Sequence, residues 1–300
     1  MRTIIFKKEQ DQRLDAYLQE TYTSLNFSKL NKFLRENKIK VNKEKVPLNT
    51  HLKYGDIITL YIKDEVLDFV PSYTLDVAYE DDNILIANKP SGLVVENYED
   101  EEKDSLILRA RKYVQQKESC NYLELCHRLD TGTSGLVIMA KNEETLGVME
   151  ILIKNHKITK EYLCVVVGCP KEKSGTIKSY LRKNPITGVV KSYNAQVKDS
   201  KEAISEYYVK EEGKNYSVVN VKLQTGRTHQ IRVHMADLGC PIVGDSKYGK
   251  NAVNKKLKIK RQLLCAYKLK FPDLDGKYSN LSKKVIEIKT PIEYSAFAKY

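Results

Sequence analysis

From residue 75 onward the chain is written in short runs of β-branched and aromatic residues closed by turn residues: 77–80, 84–88, 136–139, 162–168, 204–209 and 216–223. Strands that follow one another across short turns pair antiparallel or in a mixed sheet, whereas a doubly wound fold needs a crossover helix between successive strands. Only two segments of this body, 105–116 and 143–154, read as long helices. The expected class is α+β, with a mixed or antiparallel sheet.

Residues 12–62 read as a smaller unit. Asp11 is placed to cap a helix in which Leu14, Tyr17 and Leu18 share a face. A second helix starts near Ser28, with Leu30, Phe33 and Leu34 inward and Lys29, Lys32 and Arg35 away from them. A hairpin is expected next: a strand over 39–41, a turn through 42–45 and a resumption at Val46, then a strand over 57–62. Residues 63–74 lose periodicity, contain Pro71 and read as a linker. The organisation expected is a domain over 1–62, a linker over 63–74 and a body over 75–300.

The net charge of +12 and pI near 9.1 point to a polyanionic partner. Residues 1–62 hold 12 Lys and Arg against 7 Asp and Glu, and the stretch 28–45 holds seven of those bases with two acids. A basic helix beside a basic hairpin suits a phosphate backbone, and Lys29, Lys32, Arg35, Lys38 and Lys40 are the candidate residues for holding it, with nucleic acid the first candidate partner and an acidic membrane surface the second. The alternative is a solvated lysine-rich face. No apolar run reaches the length of a membrane span, and the N-terminal apolar segment is too short for a signal peptide, so the cytoplasm is the expected compartment. The six cysteines form no Cys-x-x-Cys pair and no two of the five histidines stand four apart, so neither a metal site nor a disulfide framework is expected. The cysteines read as reduced and mainly buried.

One stretch carries chemistry: His127-Arg128-Leu129-Asp130-Thr131-Gly132-Thr133-Ser134-Gly135, followed at once by apolar residues 136–139. It sets a carboxylate on a tight turn at the mouth of a buried strand, where backbone geometry can hold a reactive group. Asp and Gly also occupy such turns for conformational reasons alone. Three further segments bear on that choice: Asn88-Lys89-Pro90-Ser91-Gly92-Leu93-Val94-Val95, Lys160-Glu161-Tyr162, and Thr225-Gly226-Arg227-Thr228-His229-Gln230-Ile231-Arg232-Val233-His234 with its continuation Gly239-Cys240-Pro241-Ile242-Val243-Gly244-Asp245 and Tyr248-Gly249.

In this order the four segments resemble the RluA-type pseudouridine synthases over residues 75–272. The N-terminal pattern, Arg13-Leu14-Asp15, the basic helix, residues 39–42 and Gly55-Asp56-Ile57-Ile58, resembles the S-four-type RNA-binding domain, with Asn42-Lys43 where Asn-Gly is usual. The resemblance implies an isomerase that breaks the ribose C1′–N1 bond of a uridine, turns the base and joins C5 to C1′. Such a reaction consumes nothing, so no cofactor or metal is implied. Asp130 is then the catalytic carboxylate, attacking C1′ or removing a proton from C2′. A carboxylate in a closed pocket needs a cation to stay ionised, and the resemblance gives that role to Arg232, with Arg227 and His229 in support. The alternative for this segment is an amphipathic helix with its basic side in solvent. Tyr162 is expected against the flipped uracil, and Arg128 in the gap the uridine leaves.

Departures from the family pattern are Glu96 after Val95, Cys265 in Leu264-Cys265-Ala266, and a lysine-rich stretch over 250–261 that reads as a surface loop. The expected target is large-subunit ribosomal RNA, with transfer RNA second, and the expected state is a monomer without membrane contact. A non-catalytic RNA-binding ribosome-assembly factor would have lost the Asp, Tyr or Arg, and all three are present. A nucleoside hydrolase would ordinarily use a metal-binding carboxylate cluster, which the sequence does not show.

Overall fold

Apolar side chains from short helices and strands close the core of the N-terminal unit in the computed structural model, which describes residues 2–22, 25, 27–67, 74–97, 104–117, 121–297 and 299. The chain divides into two units, Met1–Tyr73 and Thr74–Tyr300. The first contains β1 (Arg2–Ile5), β2 (Gln12–Arg13), α1 (Leu14–Thr21), α2 (Phe27–Arg35), β3 (Ile39–Val41), β4 (His51–Leu52), β5 (Ile57–Leu60) and α3 (Asp64–Leu67). Strands β1, β5 and β3 form an antiparallel sheet with β5 central, and β2 pairs with β4. Leu14 and Leu18 of α1 and Leu30 and Leu34 of α2 pack with Ile39, Val41, Ile58 and Leu60.

Three local expectations are corrected here. Asp11 does not cap α1: Arg13 holds the cap position without a side-chain bond. The first turn is served instead by the buried Asp15 carboxylate, which accepts from the Ala16 N–H at 2.8 Å and from Arg13 Nη2 at 2.6 Å. An acid in a helix's first turn also meets the positive end of its dipole. Burial works to raise the Asp15 pKa, but Arg13 and the Ala16 N–H outweigh it and hold it low. The hairpin turn is Asn42-Lys43 alone, at φ 49° and 72°, with Val41 and Glu44 exchanging both backbone hydrogen bonds. The turn is tight because Asn42 accepts from the Ile57 N–H and donates to Asp56. Val46 therefore resumes no strand, and the partner of β3 is β5, which ends at Leu60. Within the expected linker, α3 belongs to this unit, with Leu67 in its core, and residues 68–73 lie outside the described residues.

The second unit contains β6 (Val77–Glu80), β7 (Ile84–Lys89), α4 (Leu106–Gln116), β8 (Glu124–Leu125), β9 (Ser134–Ala140), α5 (Glu143–Lys154), β10 (Thr159–Val167), β11 (Ser174–Lys183), β12 (Val190–Tyr193), β13 (Lys201–Glu212), β14 (Tyr216–Leu223), α6 (Gln230–Asp237), α7 (Asn251–Leu257), β15 (Leu264–Lys270), β16 (Val285–Glu287) and α8 (Ile292–Phe297). Its strands form one mixed sheet in the order β12-β11-β13-β14-β10-β15-β9-β7-β6, with β16 on β15 and β8 on β9. The β9–β15 pair is parallel and the other pairs are antiparallel. The fold is α+β.

Strand β9 reads as an unbroken apolar run because both faces are covered. Val137 and Met139 pack toward Leu106, Ala110 and Val114 of α4, while Leu136, Ile138 and Ala140 pack toward Met149 of α5. Asn142 caps α5 by accepting from the Thr145 N–H, and Ser105 caps α4 in the same way from Leu108. The stretch 250–261, read as a loop, contains α7. Strands β11, β12 and β15 were not anticipated. Cys126, Cys164, Cys240 and Cys265 are free and buried, Cys169 is half-buried, and Cys120 lies outside the described residues. Among the described residues no helix is long and apolar enough to cross a membrane.

Candidate active site

Asp130 opens a turn in which the Thr133 N–H donates to its carbonyl at 3.0 Å. Two glycines make the turn possible. A Cβ on Gly132 would stand 2.2 Å from Gln262 Oε1, and one on Gly135, at φ 113°, would stand 2.2 Å from the Ala266 carbonyl oxygen. The second contact is the parallel crossing of β9 on β15, where Gly135 is the partner of Ala266. The segment Asn88–Val95 grips the turn from the other side. The Gly92 N–H and Lys89 Nζ both donate to the Thr131 carbonyl, at 2.7 and 3.1 Å, and Ser91 Oγ donates to that of Gly132 at 2.7 Å. Lys89 is fully buried and also donates to the Leu93 and Pro90 carbonyls. Burial lowers its pKa to about 8, against the pull of the Asp130 carboxylate.

The carboxylate meets α6 across the site. Arg232 Nη1 donates to Asp130 Oδ2 at 2.9 Å, and among the described residues no hydrogen bond reaches Oδ1. Arg232 is itself held by Asp245, through Nε–Oδ2 at 2.7 Å and Nη2–Oδ1 at 2.9 Å, a bidentate fork that fixes the guanidinium plane. Asp245 is fully buried. Burial disfavours its charge, but Arg232 and the backbone N–H groups of Tyr248 and Lys247 hold its pKa low. For Arg232, burial opposes the cation, and Asp245 and then Asp130 overcome it and raise its pKa. The side chain of Asp130 keeps 28% of its surface exposed, against 7% for Arg232 and 0% for Asp245. The three residues thus run from a sealed carboxylate to an open one.

Helix α6 has its basic residues in the interior, not in solvent, because each has a partner there. Gln230 spends its whole amide: Oε1 accepts from Thr225 Oγ1 and the Arg227 N–H, while Nε2 donates to the Ile204 carbonyl and Ser205 Oγ. His234, also fully buried, lies between Ser205 Oγ at 2.9 Å and Ser179 Oγ at 3.0 Å. Burial lowers its pKa to about 4, so the ring is neutral. These bonds tie α6 to β11 and β13 and set the direction of Arg232.

His229 precedes α6 in the left-handed conformation, φ 56°. Its Nδ1 is 2.8 Å from the Tyr248 hydroxyl and its Nε2 is 3.8 Å from Asp130 Oδ2. Burial lowers its pKa despite the Asp130 carboxylate, and Arg232 and Lys247 act in the same direction as burial. The Tyr248 ring lies under Arg232, with the guanidinium 5.2 Å from its centroid. Arg227 points elsewhere and donates from Nε to the Glu202 carbonyl at 2.9 Å. Tyr162 sits on β10 between Val221 of β14 and Ala266 of β15, packed with Leu129 and Ile231. Burial first, and then the Asp130 charge, raise its phenol pKa, so the ring is a neutral surface beside the carboxylate. Arg128 is exposed. His127 is structural: its Nε2 accepts the Ile138 N–H, which fastens the start of the motif to β9.

Sequence reasoning left Asp245, Lys89, Tyr248 and Gln262 without roles. Asp245 and Lys89 each stand just after an apolar run, and a charge there calls for a partner, which was the available signal. Cys265 packs with Leu163, Val165 and Tyr267 rather than in the Tyr162–Ala266 cluster, so the side chain at this departure from the family pattern joins a different part of the core from Tyr162. In the N-terminal unit, Lys29, Lys32 and Arg35 line the solvent face of α2, Lys38 pairs with Glu36 at 2.6 Å, and Lys40 lies over the Tyr61 ring.

The family model described as RNA pseudouridylate synthase matches residues 83–237, which contain Asp130, Tyr162 and Arg232. The ribosomal large subunit pseudouridine synthase C of Buchnera aphidicola (subspecies Baizongia pistaciae) is 32% identical, over 97% of this chain and 93% of its own. An uncharacterised RNA pseudouridine synthase of Bacillus subtilis is 30% identical, over 81% of each chain. Among solved structures, human RNA pseudouridylate synthase domain containing 1 superposes with a TM-score of 0.59 at 27% identity, covering 73% of this chain and 84% of that one. The chain belongs to the RNA pseudouridylate synthase family and is an isomerase acting on uridines in RNA.

Proposed function

We propose that the enzyme converts specific uridines of large-subunit ribosomal RNA, with Asp130 as the group that acts at the sugar. The observation that carries this reading is the asymmetry of the Asp130 carboxylate: Oδ2 is taken by Arg232 and Oδ1 is left open at the exposed end of a buried charge chain. A carboxylate so held keeps its aim while meeting a substrate. From there it acts at C1′ as a nucleophile or at C2′ as a base. The N1–C1′ bond breaks, the uracil turns, C5 bonds to C1′, and the C5 proton is lost while N1 regains one.

Tyr162 gives the base an apolar platform on which to turn, and its neutral phenol suits stacking and hydrogen-bond donation better than proton abstraction. Arg128, exposed two residues before Asp130, takes the place of the displaced uridine and lowers the cost of unstacking. The base-bearing face of α2 and β3 holds flanking phosphates. The large-subunit target is supported by the name of the Buchnera relative. Action on ribosomal RNA would place the enzyme in the cytoplasm, and one chain carries the whole site, so a monomer suffices.

The test is mass spectrometry of pseudouridine in RNA from cells with and without the gene. Loss of one or more pseudouridines from large-subunit ribosomal RNA is expected. Loss confined to transfer RNA would move the target, and unchanged RNA would contradict the reading.

A further inference from the structure

The stretch from Lys247 to Arg261 contains seven basic residues and no acid. Lys247, Lys250, Lys255, Lys256, Lys258 and Lys260 are all exposed, and among the described residues none of the six is paired with a carboxylate. Elsewhere on this unit some exposed lysines pair, as Lys173 with Glu212, Lys178 with Glu202 and Lys222 with Glu206, so what sets this segment apart is its run of bases without an acid. Six like charges on one short segment repel one another, so the arrangement costs stability unless something anionic covers it.

The segment is also bound to the site at both ends. Asn254, buried in α7, accepts the Gly244 N–H at 2.8 Å and donates to the Asp245 carbonyl at 3.0 Å, which stitches the helix to the loop that bears the Arg232 partner. At the far end Arg261 Nη1 donates to the Ser91 carbonyl at 2.8 Å. The next residue, Gln262, donates to Thr133 Oγ1 at 3.2 Å in the Asp130 turn. At the near end Lys247 contributes to the field on His229. The segment that carries these cations is therefore fastened to the loops that hold Asp130 and Arg232.

We infer that the exposed lysines of residues 247–260 form a phosphate-backbone surface of the catalytic unit itself, which holds RNA next to Asp130 independently of the N-terminal unit. The inference rests on the reading of RNA as substrate. The ligand chemistry is a chain of phosphodiesters: single cations on separate side chains neutralise successive phosphates without selecting sequence.

The test compares two full-length variants of equal net charge. One carries Lys255→Gln, Lys256→Gln, Lys258→Gln and Lys260→Gln. The other carries Lys171→Gln, Lys198→Gln, Lys210→Gln and Lys214→Gln, at four exposed positions outside the segment. Gln is nearly as good a helix former as Lys, so the fold is retained, as circular dichroism would verify. The probe is a uridine-rich single-stranded oligoribonucleotide, titrated across a series of salt concentrations. The first variant is expected to bind at least about tenfold more weakly, with a log–log salt slope shallower by roughly two to three. The second is expected to follow the wild type.

Wild-type affinity and slope in the first variant, or an equal loss in both, would overturn the inference. The functional reading is scored apart, by pseudouridine formed by the wild type in ribosomal RNA. A wild type that binds through this surface yet never isomerises uridine contradicts that reading and not this one.

Discussion

Arg232 on α6 is buried between two carboxylates, whereas Lys29, Lys32 and Arg35 on α2 stand in solvent, Lys32 lying 4.0 Å from Glu36. Both regions concentrate positive charge, but the physics differs. A buried, fully hydrogen-bonded cation costs desolvation and repays it with fixed geometry, and salt scarcely reaches it. Exposed cations contribute little to folding, and their attraction for phosphates weakens steeply with ionic strength. The first kind suits aiming a carboxylate, and the second suits gathering a long chain of charge.

The largest effect should come from breaking the buried end. Asp245→Asn leaves Arg232 without its bidentate partner, and a buried pair that loses one member costs about 3–5 kcal/mol. Urea unfolding should show a loss of that order, with turnover falling at least about a hundredfold as the guanidinium turns away. A variant of unchanged stability and rate would mean that Asp245 does not hold Arg232.

Next in size is a pH effect through His234. Its pKa is lowered from 6.5 to about 4, so between those values the unfolded chain binds a proton that the folded one refuses. This contribution is therefore fully present above pH 6.5 and is lost as the pH falls toward 4, by about 3 kcal/mol. His234→Gln, which cannot titrate, should flatten that part of the stability curve measured by unfolding. The same slope in both proteins would assign the acid sensitivity elsewhere.

The exposed region should answer in the opposite way. Replacing Lys29, Lys32 and Arg35 by Gln should alter stability by no more than about 0.5 kcal/mol. The salt slope for RNA binding should become shallower by about two, at 0.7 per lost single-strand contact. An unchanged slope would remove α2 from the RNA-binding surface. Most local is the turn at Asn42-Lys43, where Lys43 carries a φ of 72° that glycine adopts without cost. Lys43→Gly should raise the stability of the N-terminal unit by about 0.5–1 kcal/mol in a thermal melt. No gain would mean that the turn already relieves its strain.

The same contrast explains what the sequence revealed. Helix α5 was legible to its ends because Asn142 caps an amphipathic run, and β14 because Val218, Val219 and Val221 stand between Tyr216 and Leu223. Asp130, Arg232 and Tyr162 were legible through their motifs, and α2 through its two-sided pattern. Strand β11 was missed because it is mostly exposed and shows little alternation. Asp245 and Lys89 were missed because their partners lie far off in sequence: Arg232 is 13 residues from Asp245, and Thr131 is 42 from Lys89. The Asp11 cap failed for a local reason, since Asp15 inside the helix already serves the first turn.

On the proposed reading, Asp130 performs the isomerisation while the rest of the surface holds RNA. Asp130→Asn keeps the size and the turn of the residue and removes its charge. Pseudouridine formation in ribosomal RNA by this variant, measured by mass spectrometry beside its RNA affinity, is expected to be absent with affinity close to wild type. Turnover retained by the variant would contradict the account.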